Sequence, residues 1–140
     1  MGKGEKVVID TNVFISAFGW GGKPLKIIEL SEQEKIINCI SEEILDELLI
    51  ALSYPKLGFS KKLQSEVLKF ILAYSDVYES KEHISIASDN KDNKFIECAL
   101  SANAGFIITG DKSILSIKQF RGVKIATPEG FLKIRKSVNE

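Results

Sequence analysis

The chain has 140 residues, 44% of them hydrophobic, which is enough for one domain spanning residues 1–140 to bury a core without disulfide or metal staples. Lys plus Arg number 19 and Asp plus Glu number 19, so the balance excludes the strongly basic composition typical of a non-specific nucleic-acid binder, without excluding a nucleic-acid substrate. No apolar run reaches the length of a membrane span and no signal-peptide pattern opens the chain, so a cytoplasmic protein without a membrane partner is expected.

In chain order, Lys6 to Asp10 reads as a buried parallel strand, because it is apolar without alternation. A short helix is predicted over Asn12 to Ala17, then a loop at Gly19-Trp20-Gly21-Gly22. Pro24 opens a helix at its first position, running to about Leu30. Ile36 to Ile40 is the second strand, and Ser41 caps a helix that Pro55 stops after about Tyr54. Its apolar stripe is Ile44, Leu45, Leu48, Leu49 and Leu52. Ser60 caps a further helix to about Tyr74, with Leu63, Val67, Leu68, Phe70 and Ile71 carrying its burial. Val77 to Ile86 reads as a short strand and a loop.

The polar run Asp89-Asn90-Lys91-Asp92-Asn93 signals a helix start, and the helix carries Phe95, Ile96, Ala99 and Leu100 before Gly105 ends it. Phe106 to Thr109 and Val123 to Ala126 are further strands, and Thr127-Pro128-Glu129 caps the last helix. Strands alternating with helices predict an α/β three-layer sandwich around a mainly parallel sheet. Cys39 falls in a strand and Cys98 in a helix, without C-x-x-C spacing, so both read as reduced core residues. His83 is the only histidine and reads as a surface loop residue, which argues against zinc and against histidine acid–base catalysis.

The chemistry points to acids. Val7-Val8-Ile9 ends in Asp10-Thr11-Asn12, and Phe106-Ile107-Ile108 ends in Thr109-Gly110-Asp111. Ligands of open parallel sheets bind beyond the carboxyl ends of strands. Two such acids in one crevice repel unless a cation lies between them, and oxygen ligands suit Mg²⁺ or Mn²⁺. The bland reading of either acid is a helix N-cap. Asp92 projects onto the same helix face as Phe95 and Ala99, so it caps that helix or points into a site, with Asp89 as the rival cap. In the helix after the second strand, Glu43, Asp46 and Glu47 all flank the apolar stripe, and periodicity does not choose among them. Lys94, Lys112, Lys23 and Lys26 lie near these segments as candidate phosphate contacts or plain surface lysines. Trp20 and Phe18 flank the glycine-rich loop, where they stack on a base or pack in the core.

Asp10-Thr11-Asn12, Ser41-x-x-Ile44-x-x-Glu47-Leu48, Asp92-Asn93-Lys94-Phe95 with Ala99 beyond, and Thr109-Gly110-Asp111 together resemble the PIN domain, in order and along nearly the whole chain. The resemblance is to the small, single-domain prokaryotic group described as toxins of toxin–antitoxin systems. It implies a metal-dependent ribonuclease whose acids correspond to Asp10, Glu47, Asp92 and Asp111, with supporting polar roles toward substrate for Asn12 and Thr109. It thereby selects Glu47 from the three helix acids. It further implies Mg²⁺ or Mn²⁺ as cofactor, RNA as substrate, an antitoxin protein as partner and a homodimer. Two rivals stand beside it. A metal-dependent phosphatase places Asp similarly but wants D-x-D after its first strand, where this chain has Asn12. A PIN-like module that binds RNA or protein without cutting retains the fold alone.

Overall fold

The computed structural model describes residues 4–79 and 92–139. Its elements run β1 (Glu5–Ile9), α1 (Thr11–Trp20), α2 (Gly22–Glu32), β2 (Ile36–Ser41), α3 (Glu42–Leu52), a 3₁₀ turn at Pro55–Leu57, α4 (Lys61–Tyr74) and β3 (Ser75–Tyr78). They continue with α5 (Asn93–Ala102), β4 (Phe106–Ile108), α6 (Lys112–Leu115), β5 (Gln119–Phe120), β6 (Val123–Ala126) and α7 (Pro128–Asn139). The sheet order is β3-β2-β1-β4-β6-β5, parallel except for the antiparallel β5–β6 pair. Helices cover both faces, giving the expected three-layer α/β sandwich. Right-handed crossovers running in opposite directions from β1 place their helices on opposite faces.

The core follows from the apolar runs. Val7, Val8, Ile9, Phe106, Ile107 and Ile108 are buried, as strands covered on both faces require. Against them pack Ile44, Leu48 and Leu52 of α3, Val67 and Ile71 of α4, Ile96 and Ala99 of α5, and Phe131 of α7. Cys39 and Cys98 are buried and unpaired, as read, and desolvation pushes their thiols up to about 11 and about 12. The predicted caps form: Ser41 accepts from the Ile44 N–H at 3.2 Å, and Ser60 accepts from the Leu63 N–H at 3.0 Å. Each such cap contributes about 1 kcal/mol.

The chain departs from its reading in several places. Gly19 and Trp20 belong to α1 and not to a loop, and Gly21 (φ 78°) with Gly22 (φ 70°) makes the turn into α2, which opens two residues before Pro24. Gly19 is a packing glycine: a Cβ there would lie 2.8 Å from the Phe59 ring. Trp20 is therefore not beside Asp10 but ten residues further along the chain, roughly 15 Å at the helical rise. Nor is it in the core; it is 70% exposed, against Phe59 at 5.9 Å between centroids. β3 begins directly after α4, two residues earlier than Val77. The short α6 and the two-residue β5 lacked any period to betray them. His83, Asp89 and the rest of residues 80–91 lie outside the described residues. Among the described residues, no helix is long and apolar enough to cross a membrane.

Candidate functional site

The strand order fixes where a site can form. From β1 the chain moves to β2 and β3, then returns to the other side of β1 for β4 and β6. The reversal falls between β1 and β4, the topological switch point at which open α/β sheets hold ligands beyond their carboxyl ends. Ile9 pairs with Ile108 there, and the Asp10 N–H continues the ladder to the Ile108 carbonyl at 3.0 Å. Asp10 and Thr109 thus leave adjacent strands side by side.

Asp10 is buried, with only 4% of its surface exposed. Its Oδ2 accepts the Thr109 hydroxyl proton at 2.6 Å, and its Oδ1 accepts the Asn12 N–H at 3.3 Å, so it caps α1 as well. Thr109 in turn accepts the N–H of Asp111 at 2.9 Å. Burial raises the Asp10 pKa above the usual carboxylate value; the Thr109 and Asn12 hydrogen bonds oppose this, and the charges of Glu47 and Asp111 add to it. Those two charges therefore act on the same group, as members of one acidic cluster do.

Asp111 caps α6, its Oδ1 accepting the Ser113 N–H at 2.8 Å. The Ser113 hydroxyl donates to Asp92 Oδ2 at 2.6 Å, so one serine joins two acids that are nineteen positions apart in sequence. Asp92 occupies the N-cap position of α5, but its side chain makes no capping hydrogen bond to that helix. It is 7% exposed, in keeping with the inward face that periodicity assigned to it.

Among the three acids of α3 that flank the stripe, Glu43 and Asp46 are exposed and Glu47 is half-buried. Thr11 donates to Glu47 Oε2 at 2.5 Å, and Lys94 Nζ lies 3.0 Å from Glu47 Oε1. Lys94 is thus no rim lysine; its side chain is 13% exposed and its ammonium sits over the Phe95 ring at 5.4 Å. Lys23, Lys26 and Lys112 are exposed. Asn12 is exposed and serves Asp10 through its backbone N–H, whereas Thr109 is fully buried against Asp10.

Hydrogen bonds and electrostatic influence thus join Asp10 with Glu47 and Asp111, and Asp111 with Asp92. In the side-chain positions seen, no group of three or more His, Cys, Asp or Glu among the described residues converges tightly enough to hold a metal ion. The donor chemistry nonetheless suits a hard cation, since carboxylate and hydroxyl oxygens line the crevice and both thiols are protonated in the core. Sequence reasoning missed Ser113 and Thr11 as partners of the acids. The available signal was a hydroxyl residue one or two places after each strand-end acid, a usual helix-start arrangement.

Comparison with known proteins agrees with this architecture. A family model described as PIN domain matches residues 6–113. The chain is 37% identical, over 140 aligned residues, to the uncharacterized protein MJ1680 of Methanocaldococcus jannaschii, covering 91% of this chain and 90% of that one. VapBC2 from Rickettsia felis, solved with a DNA fragment from its promoter, superposes with a TM-score of 0.60 at 17% identity, over 86% of this chain and 96% of that one. The PIN domain endonuclease Utp24 gives a TM-score of 0.56 at 20% identity, over 90% and 87% of the two chains. PAE2754 from Pyrobaculum aerophilum gives 0.58 at 17% identity, over 97% and 91%. At these identities the three structures speak to the fold.

Proposed function

This chain belongs to the PIN-domain family, and on that premise we propose that it is a nuclease, specifically a metal-dependent endoribonuclease that hydrolyses RNA at the acidic crevice. The observation that carries the reading is Asp10. It is a buried carboxylate at the switch point, with the charges of Glu47 and Asp111 raising its pKa further. Proteins rarely gather anions in a buried place without a use for a cation.

Asp10, Glu47, Asp92 and Asp111 are the residues that would hold Mg²⁺ or Mn²⁺, Asp10 and Asp92 centrally, Glu47 and Asp111 directly or through water. Such an ion, when bound, supplies positive charge to the attacked phosphate and acidity to water at neutral pH. The protein's part is orientation. Thr109 and the Asn12 N–H fix both oxygens of Asp10. Ser113 fixes Asp92 against Asp111. Thr11 and Lys94 fix Glu47. Lys23 and Lys112, both exposed, are assigned to the RNA backbone, whose binding then weakens with salt. The exposed Asn12 amide is assigned to the substrate, and buried Thr109 to holding Asp10. In-line attack by water leaves a 5′-phosphate and a 3′-hydroxyl.

The same reading assigns the chain to the toxin side of a toxin–antitoxin pair, working as a cytoplasmic homodimer with an antitoxin protein as partner. The fold likeness to VapBC2 supports that assignment. The rival, a PIN fold that binds without cutting, draws on the lack of three converging acids among the described residues. A panel of labelled RNAs and single-stranded DNAs incubated with Mn²⁺, Mg²⁺ or EDTA separates the two. Cutting of RNA that stops in EDTA is expected. Retained RNA binding with no cutting of any substrate favours the rival.

A further inference from the structure

We infer that the cavity between the carboxyl ends of α2 and α4 is a binding site for a small aliphatic amine, held by its ammonium head. The cavity measures about 260 Å³, and its walls include Ser31, Glu34, Ile36, Ile37, Ser75 and Asp76. It lies at the amino ends of β2 and β3, the opposite end of the parallel sheet from the Asp10 crevice. Pockets for drug-sized ligands run from about 300 to 1,000 Å³, so this one suits a smaller molecule.

The polar atoms of the wall ask for a donor. Ser31 is 2% exposed, and its hydroxyl has no hydrogen-bond partner. Buried hydroxyls are rarely left unpaired, and this one belongs to a cavity wall. The Ser75 oxygen accepts from the Asn38 amide at 2.7 Å and keeps a second lone pair.

The charge of the wall has one sign. Glu34 and Asp76 are its only formally charged residues; both are exposed, and neither forms an ion pair among the described residues. The carboxyl ends of α2 and α4 add partial negative charge, and neither helix has a basic residue in its last turn. The Lys6 pKa is raised, chiefly by Tyr78 and least by Asp76, but Lys6 does not line the cavity. Ile36 and Ile37 offer apolar wall to a carbon stem.

Glu34 is kept there against its backbone. It follows the C-cap of α2 with φ 60°, a position that favours glycine. Strain retained at a cavity wall signals use of the side chain.

A cleft that holds only water would not select for charge. The deciding experiment titrates the folded, metal-free protein with 1,4-diaminobutane, n-butylamine and n-butanol at constant ionic strength, read by amide chemical shifts and melting temperature. Both amines are expected to shift the amides of Ser31, Glu34, Ile36 and Asp76 saturably and to raise the melting temperature. Butanol is expected to do neither. Asp10→Asn should bind the amines as wild type does, which separates this cavity from the acidic crevice. Glu34→Gly should melt at or above wild type without amine and lose roughly fivefold in affinity, the upper range for an exposed ion pair. Ser31→Ala should lose roughly tenfold, as removal of a partner to a charged group does. Glu34→Gln replaces the glycine variant if melting curves show that it fails to fold. No saturable shift at those amides, an equal response to butanol, unchanged affinity in the Glu34 and Ser31 variants, or binding lost in Asp10→Asn overturns the inference.

Discussion

The Thr109 hydroxyl donates to Asp10 Oδ2 at 2.6 Å while its oxygen accepts the Asp111 N–H at 2.9 Å, so one side chain ties together the acids that end β1 and β4. Thr109→Val keeps the shape and removes both bonds. Leaving a buried carboxylate short of a donor costs about 1–3 kcal/mol. Disturbing a group that orients a ligand costs roughly 10–100-fold in metal affinity or activity. Urea unfolding and cleavage rates should show both losses, and Thr109→Ser should recover most of each. A valine variant that cuts at the wild-type rate removes Thr109 from the account.

Asp10 carries a pH signature. Burial raises its pKa in the folded protein, with Glu47 and Asp111 adding to the rise. A raised carboxyl pKa means the folded state disfavours the ionised form. The associated stability is complete below the unfolded value of about 3.9 and is lost as pH rises through the folded pKa. In EDTA at neutral pH, Asp10→Asn should therefore melt above wild type, and the gap should close near pH 4. Mn²⁺ should then raise the melting temperature of wild type and leave the variant unmoved. A variant less stable than wild type at every pH contradicts this picture of Asp10.

Ser113 offers a cleaner separation of site from scaffold. Ser113→Ala keeps the N–H that serves Asp111 and deletes only the hydroxyl that holds Asp92. Mn²⁺ affinity and cleavage should fall by roughly 10–100-fold, with a melting temperature close to wild type. Unchanged Mn²⁺ affinity would show that Asp92 needs no such support.

The three acids of α3 that flank its apolar stripe can be told apart in one series. Glu47→Gln weakens both the Lys94 pair and the Thr11 bond, and cleavage should drop at least tenfold, the low end for a group supporting a metal ligand. Glu43→Gln and Asp46→Asn alter exposed side chains, and should stay within about twofold, as surface changes usually do. An Asp46 variant as damaged as the Glu47 one would mean that the wrong carboxylate has been assigned.

That series also marks where sequence stops informing. Val7-Val8-Ile9 and Phe106-Ile107-Ile108 were legible as strands because sheets covered on both faces need unbroken apolar runs. Asp92 was legible as inward because its helix is long enough to have a face. Periodicity could not divide Glu43, Asp46 and Glu47, since all three flank one stripe; family resemblance named Glu47, which is the half-buried one of the three. Gly19 misled because glycine marks close packing as well as turns, and here the Phe59 ring occupies the space of a Cβ. Lys94 with Glu47, Thr11 with Glu47 and Ser113 with Asp92 are contacts between distant segments, which no local pattern encodes.

The most direct test of the central claim compares wild type with Asp10→Asn on an RNA cut in Mn²⁺, with the product ends mapped and both proteins shown to be folded. The account predicts 5′-phosphate and 3′-hydroxyl ends from wild type, and no cutting by a variant that melts at or above the wild-type temperature in EDTA. Cleavage by Asp10→Asn at the wild-type rate would contradict it and place the chemistry away from the switch point.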